Sequence, residues 1–168
     1  MKKRVILLAM HGMPASDFPA DTKREFMRLH SGARAAQTPA DSSRHDELDK
    51  QIRAWPRTPK NDPYHFASME LAKELGRQAG CEVVLGYNEF CAPDCDEAAE
   101  IAAKLKPAEI VVVTPMLMRG GSHAESDIPS FIQRARARHP EIHFRYAWPF
   151  NTDRIAKFLS DQIHASSA

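Results

Sequence analysis

Two histidines and a glutamate stand directly behind apolar runs of the chain. His11-Gly12 follows Val5-Ile6-Leu7-Leu8-Ala9-Met10, and Asn88-Glu89-Phe90-Cys91 closes a run that contains Val83-Val84-Leu85 and Tyr87. Arg119-Gly120-Gly121-Ser122-His123 follows Ile110-Val111-Val112-Val113, with Glu125 and Asp127 just behind. Two imidazoles and a carboxylate, with coordination positions left over, suit Fe(II), Co(II), Ni(II) or Zn(II). Calcium and magnesium would take more oxygen ligands. A neutral imidazole can also accept a proton near pH 7. A carboxylate beside it stabilises cationic steps and can orient the ring. Gly120-Gly121 supplies permissive backbone, either for a sharp turn or for close approach to a ligand.

The elements that must position these groups read as strands alternating with helices. Val5 to Met10, Glu82 to Phe90 and Glu109 to Met118 are continuous apolar runs, as in strands covered on both faces. Ile142 to Trp148 alternates more and reads as an edge strand. Helical spacing spans Phe66 to Gln78, with Gly80 as a stop, Asp94 to Leu105 after the Pro93-Asp94 start signal, Ile128 to His139, and Thr152 to His164. This order predicts an α/β fold, a three-layer sandwich around a four-stranded parallel, flavodoxin-like sheet. In such sheets ligands bind outside the carboxyl ends of the strands. His11, Glu89 and His123 are expected there, one from each of three central strands.

Between the first strand and its helix the chain inserts about fifty residues, roughly 14–63, where a βα loop of about 2–6 is usual. The stretch holds Pro14, Pro19, Pro39, Pro56, Pro59 and Pro63, with short helices expected over Asp21 to His30 and Ser42 to Trp55. It is either a surface insertion or a lid, since it grows from the ligand-binding end of the sheet. His30, His45 and His65 take surface or capping roles by default. Trp55 and the prolines around it read as packing that pins the insertion down. Met116, Leu117 and Met118 read as core filling, and Arg134, Arg136 and Arg138 as a solvated helix face. Cys91 and Cys95 read as buried small hydrophobes.

The chain has 168 residues, which argues for one domain, and its 43% hydrophobic and 27% charged residues are the balance of a globular protein. A formal charge of +1 leaves no electrostatic footprint for nucleic acid. No apolar run approaches the roughly 20 residues of a bilayer span. Met1-Lys2-Lys3-Arg4 before the first apolar run imitates a secretory leader, but His11-Gly12 ends that run too early. Cys81, Cys91 and Cys95 are an odd set that does not read as a disulfide framework. The expected compartment is the cytoplasm.

Taken together, His11-Gly12, Asn88-Glu89-Phe90 with Ala92-Pro93, and Thr114-Pro115-Met116-Leu117 leading into Gly120-Gly121-Ser122-His123-Ala124-Glu125-Ser126-Asp127-Ile128-Pro129 resemble the CbiX-type sirohydrochlorin cobaltochelatases. These are class II chelatases, related to ferrochelatase. The Gly-Gly-x-His-x-x-x-Asp-Ile-Pro string is the most specific element. The resemblance covers residues 4–13 and about 66–164; the long insertion is absent from the short archetypes. It implies ATP-independent insertion of a divalent ion, Co2+ first and Fe2+ or Ni2+ next, into sirohydrochlorin or a related tetrapyrrole. His11 and His123 would be the metal-binding histidines and Glu89 the assisting carboxylate. Gly120, Gly121 and Arg119 would meet the macrocycle. A substrate rich in carboxylates calls for cations at the mouth, with Arg119 best placed and Arg57 and Lys60 as candidates from the insertion. Short members work as homodimers, so a homodimer is implied.

Two other readings compete. A histidine phosphatase also has a strand ending in His-Gly, but it usually places Arg before the His, where this chain has Met10. A metal or tetrapyrrole carrier on the same fold would keep both histidines and show no turnover.

Overall fold

The structure, a computed structural model, describes residues 3–31 and 38–166, so Met1 and Lys2 of the basic start lie outside the described residues. Four strands form one sheet in the order β2-β1-β3-β4: β1 Arg4–Met10, β2 Glu82–Tyr87, β3 Glu109–Val113 and β4 His143–Tyr146. Every pairing is parallel; Leu8 lies opposite Leu85 on one side and Val113 on the other. The fold is α/β with a flavodoxin-like strand order. The chain leaves β1 toward β2 on one side and toward β3 and β4 on the other. The β1/β3 boundary is therefore the topological switch point, where ligand crevices open.

Alternation along β1 sorts the core into two layers. Val5, Leu7 and Ala9 face Ala98, Ala99 and Ala102 of α4 (Cys95–Lys104) and Ile128, Phe131, Ile132 and Ala135 of α5 (Ile128–Arg138). Leu8 and Met10 face the other way, onto Ala72 and Leu75 of α3 (Pro63–Ala79) and onto Tyr64 and Tyr87. The helices begin where the sequence signals starts. Asp94 caps α4 in a reciprocal capping box with Glu97. Asp62 accepts from the His65 N–H and Pro63 opens the first turn, so α3 starts three residues before the predicted Phe66. Gly80, at φ +62°, ends it in the left-handed conformation.

Three expectations shift. β2 and β3 stop at Tyr87 and Val113 rather than at Phe90 and Met118, because a strand lasts only as long as its ladder. β2 is an edge strand, as β4 is, so only β1 and β3 are central. The helix expected over Thr152 to His164 forms as α6 (Thr152–Ala165), yet it buries none of its residues; Phe158 and Leu159 stay exposed.

Between β1 and α3 the described chain forms two helices, α1 (Ala20–Ser31) and α2 (Pro39–Arg53). Both are longer than predicted, and α2 gains its first turn from a Thr38–Asp41 capping box with Pro39 at its start. Phe26 and Leu29 of α1, Leu48 and Ile52 of α2, and Phe18 bury together against Phe90 from the β2 exit. Trp55 packs on this cluster, meeting Phe18 edge-on at 5.1 Å and donating its indole N–H to Asp17. This small core fastens the two helices over the carboxyl end of the sheet. Arg57, with Asp62, ties the same segment to the β2 exit by donating to the carbonyls of Met13, Ile52 and Phe90. Among the described residues no helix is long and apolar enough to cross a membrane.

Candidate functional site

β1 and β2 stay in register past their last residues. The Asn88 N–H donates to Met10 O at 2.9 Å and the Glu89 N–H to His11 O at 2.8 Å. Glu89 is thereby set beside His11. Gly12 makes this possible: its φ is +98°, and a Cβ there would stand 1.9 Å from the Glu89 carbonyl oxygen. The glycine of the His-Gly pair thus serves close approach as well as the turn. Gly12→Ala should cost more than about 1 kcal/mol of stability and push Glu89 out of place. Urea unfolding and Co(II) titration of the variant check both effects; a wild-type result in both would contradict this account.

The turn beyond Glu89 is strained. Phe90 takes φ +60°, the left-handed region disfavoured for a bulky side chain, and the Cys91 N–H closes onto Glu89 O at 2.7 Å. Two features hold it. Phe90 is buried in the α1–α2 cluster, and Arg53 donates to Asn88 O at 3.1 Å and to Cys91 O at 2.7 Å.

The third element is the turn entering α5. His123–Asp127 form one π-helical turn, closed by the Ile128 N–H onto His123 O. Residues four apart lie on the same face of such a turn. His123 Nδ1 and Asp127 Oδ2 meet at 2.6 Å. Tyr146 Oη donates to Ala124 O at 2.9 Å and ties this turn to β4.

These elements bring His11, Glu89 and His123 together: one donor atom from each lies within 4.8 Å of the others. His11 Nε2 is 3.8 Å from Glu89 Oε2, and His123 Nε2 is 3.6 Å from Glu89 Oε1. The two imidazoles meet edge to face, with centroids 4.8 Å apart. Each offers Nε2 inward while Nδ1 is occupied, on His11 by Gly12 O at 2.7 Å and on His123 by Asp127. Metal-binding histidines show this arrangement, the outer nitrogen fixing tautomer and ring orientation. The Glu89 and His123 side chains are each 18% exposed, enough for an ion to reach them.

Beside the cluster lies a cleft of about 500 Å³. Asn88, Glu89, Ser122, His123, Asp127, Ser130 and Arg134 line one wall, and His30, His45, Asp49 and Arg53 from α1 and α2 line the other. His30 and His45 therefore are not surface groups; His30 Nε2 is 2.9 Å from Glu89 Oε1. One signal for this wall was in the sequence: His45, Asp49 and Arg53 recur every four residues, a polar stripe along one face of α2. His30 left no such trace. Arg134 and Arg138 are also more than a solvated face, since both pair with Asp96 and latch α5 to α4, while Arg136 donates to Phe144 O.

Other expected mouth residues fall elsewhere. Arg119, Gly120 and Gly121 are exposed on the loop before the π turn, outside the cleft walls. Lys60 is exposed. Arg57 is not at the mouth: its side chain is 10% exposed and bound to Asp62, which is 1% exposed. Met118 is 69% exposed, so only Met116 of that trio packs against the core. All three cysteines are free, with Cys91 and Cys95 buried. Burial pushes the Cys91 thiol up and the Cys95 thiol up to about 12, which keeps both protonated. Asp62, His65 and Cys91 make a second metal-capable trio. Asp62, however, is already committed to Arg57 and to the cap of α3, so the trio reads as a buried polar network.

Comparison with known proteins agrees with this architecture. Residues 61–165 match the family model CbiX. Over 82 residues, 48% of this chain, the sequence is 30% identical to the sirohydrochlorin ferrochelatase of Priestia megaterium; the match spans only 30% of that protein. The crystal structure of the putative cobalamin (vitamin B12) biosynthesis CbiX protein from Marinobacter aquaeolei superposes with a TM-score of 0.56 at 18% identity, covering 97% of this chain and 96% of the other. The sirohydrochlorin chelatase SirB of Bacillus subtilis subspecies spizizenii, in complex with cobalt, aligns over 88% of this chain and 43% of its own, with 20% identity and a TM-score of 0.45.

Proposed function

Because the chain belongs to the CbiX family, we propose that it is a metal chelatase that inserts a divalent ion into sirohydrochlorin or a related tetrapyrrole without ATP. Co2+ is the first candidate ion, with Fe2+ and Ni2+ next. The observation that carries this reading is the convergence of His11, Glu89 and His123 at the β1/β3 switch point, with an open cleft beside them.

Metal insertion must strip water from the ion and remove two pyrrole protons. In this reading His11 and His123 hold the ion through Nε2 and Glu89 balances its charge. As the ion passes to the macrocycle, His123 accepts a pyrrole proton on the nitrogen just vacated, and Asp127 on Nδ1 stabilises the imidazolium. Glu89 relays the second proton. Arg119, exposed on the loop before His123, supplies positive charge for the substrate's carboxylates; Arg53 and Arg134 in the cleft walls are already paired with Asp49 and Asp96. Gly120, at φ +88° with open space around it, leaves room for a flat ligand over that loop.

The reading also takes residues 14–63 as an insertion within a single chelatase-like domain, with α1 and α2 covering the site. It takes the enzyme to be cytoplasmic, which its three free cysteines support. It takes the enzyme to be a homodimer, for which the exposed Phe158 and Leu159 of α6 offer apolar surface.

The test is anaerobic, absorbance-monitored insertion of Co(II), Fe(II) and Ni(II) into sirohydrochlorin. Turnover well above the rate of metal and macrocycle alone is expected for at least one ion. Tight metal binding without acceleration would make the chain a carrier, and no metal binding would return the phosphatase reading.

A further inference from the structure

We propose that α1 contributes a third imidazole, His30, to the coordination sphere of the substrate metal, with His45 of α2 holding it in place; this rests on the reading that His11, Glu89 and His123 bind that metal. His30 Nε2 lies 2.9 Å from Glu89 Oε1, the same oxygen that faces His123 Nε2 at 3.6 Å. Ligands bound to one first-row ion at about 2.0–2.1 Å sit roughly 3–3.5 Å from one another. His30 Nε2 and His123 Nε2 thus face the same Glu89 oxygen at close to ligand–ligand spacing, while His11 Nε2 faces the other oxygen at 3.8 Å.

The outer nitrogen of His30 is held as those of the other two are. Its Nδ1 is 3.1 Å from His45 Nε2, and His45 Nδ1 is 3.4 Å from Asp46 Oδ1. One tautomer chain satisfies both contacts: His45 donates from Nδ1 to Asp46, and His30 donates from Nδ1 to His45 Nε2. That chain leaves a lone pair on His30 Nε2 aimed at a carboxylate oxygen. In the opposite tautomer His30 donates its Nε2 proton to Glu89 Oε1; in this one that nitrogen is free to take an ion bound at Glu89. The ring is also locked, stacked on Phe26 at 5.1 Å and on His45 at 5.4 Å, and its side chain is 28% exposed. Three imidazoles and one carboxylate form a nitrogen-rich set that favours Co(II), Ni(II) or Zn(II) over Mg(II).

The experiment is Co(II) titration of the full chain, read by visible absorption. Pulsed EPR of the Cu(II)-loaded protein counts coordinated imidazoles. His30→Gln should weaken Co(II) binding about 10–100-fold and lower the imidazole count from three to two, with the circular dichroism spectrum unchanged. His45→Gln should weaken binding less and keep the count at three. His30→Phe, which preserves stacking on Phe26, replaces the glutamine variant if that one does not fold. His30→Gln binding Co(II) as wild type does, while His123→Ala loses it, overturns the third imidazole alone. A wild type that binds no Co(II), or a His123→Ala variant that binds it undiminished, overturns the functional reading and this proposal together.

Discussion

His123→Ala should slow metal insertion by at least about a hundredfold while leaving the fold intact. The variant loses a metal ligand and the proton acceptor at once, and positioned acid–base groups alone contribute about 10²–10⁴ in rate. Its structural cost is small, because the side chain borders the cleft and its strong partner, Asp127, is 55% exposed and can be solvated. Asp127→Asn separates the two roles. It keeps a polar partner on Nδ1 but removes the charge that stabilises an imidazolium, so a loss of about 10–100-fold is expected. Steady-state insertion assays of both variants, alongside thermal unfolding, check this. A His123→Ala enzyme that turns over at the wild-type rate would falsify the assignment of the chemistry to this cluster.

Arg57→Ala should destabilise the fold by about 3–5 kcal/mol. Arg57 is the charge partner of Asp62, which is almost wholly buried, and its guanidinium also serves the carbonyls of Met13, Ile52 and Phe90. Removing it leaves a buried carboxylate without its charge partner and the Phe90 carbonyl without that donor, while Ile52 O and Met13 O keep weaker contacts from Trp55 and Cys91. Asp62 has a second duty, since its Oδ1 accepts from the His65 N–H at the start of α3. Asp62→Asn keeps an oxygen for that cap but carries no charge. In the Arg57→Ala background it should therefore restore part of the lost stability, where additivity would make matters worse. Urea unfolding of the two single variants and the double variant completes the cycle. A fully additive result would mean that the pair contributes nothing beyond its separate contacts. Arg57 also holds Phe90 O one residue from Glu89, so metal affinity should fall with stability.

How far the sequence was legible follows from the range of the forces involved. The strands were visible as apolar runs because burial on both faces demands them over a few consecutive residues. Their ends were placed too late at Phe90 and Met118. The apolar character of those tails comes from Phe90 packing under α1 and α2 and from Met116 filling the core, and composition does not separate such contacts from a ladder. Arg57 was expected at the mouth because a carboxylate-rich substrate calls for cations from an insertion that grows at the ligand-binding end of the sheet. Its burial depends on Asp62 and on three carbonyls that meet it only in the folded chain.

By itself the sequence determined the alternation of strands and helices, the caps at Asp94 and Gly80, and the delivery of His11, Glu89 and His123 to one edge of a parallel sheet. Each is local: hydrophobic periodicity, capping chemistry, and the place of a residue directly behind an apolar run. Only the tertiary structure decided that His30 reaches Glu89 across 59 residues of chain, and that His45, Asp49 and Arg53 close the cleft from above. The packing of α1 and α2 on Phe90 sets that meeting, and hydrophobic packing is non-directional, so nothing near His30 in sequence announces where it will point.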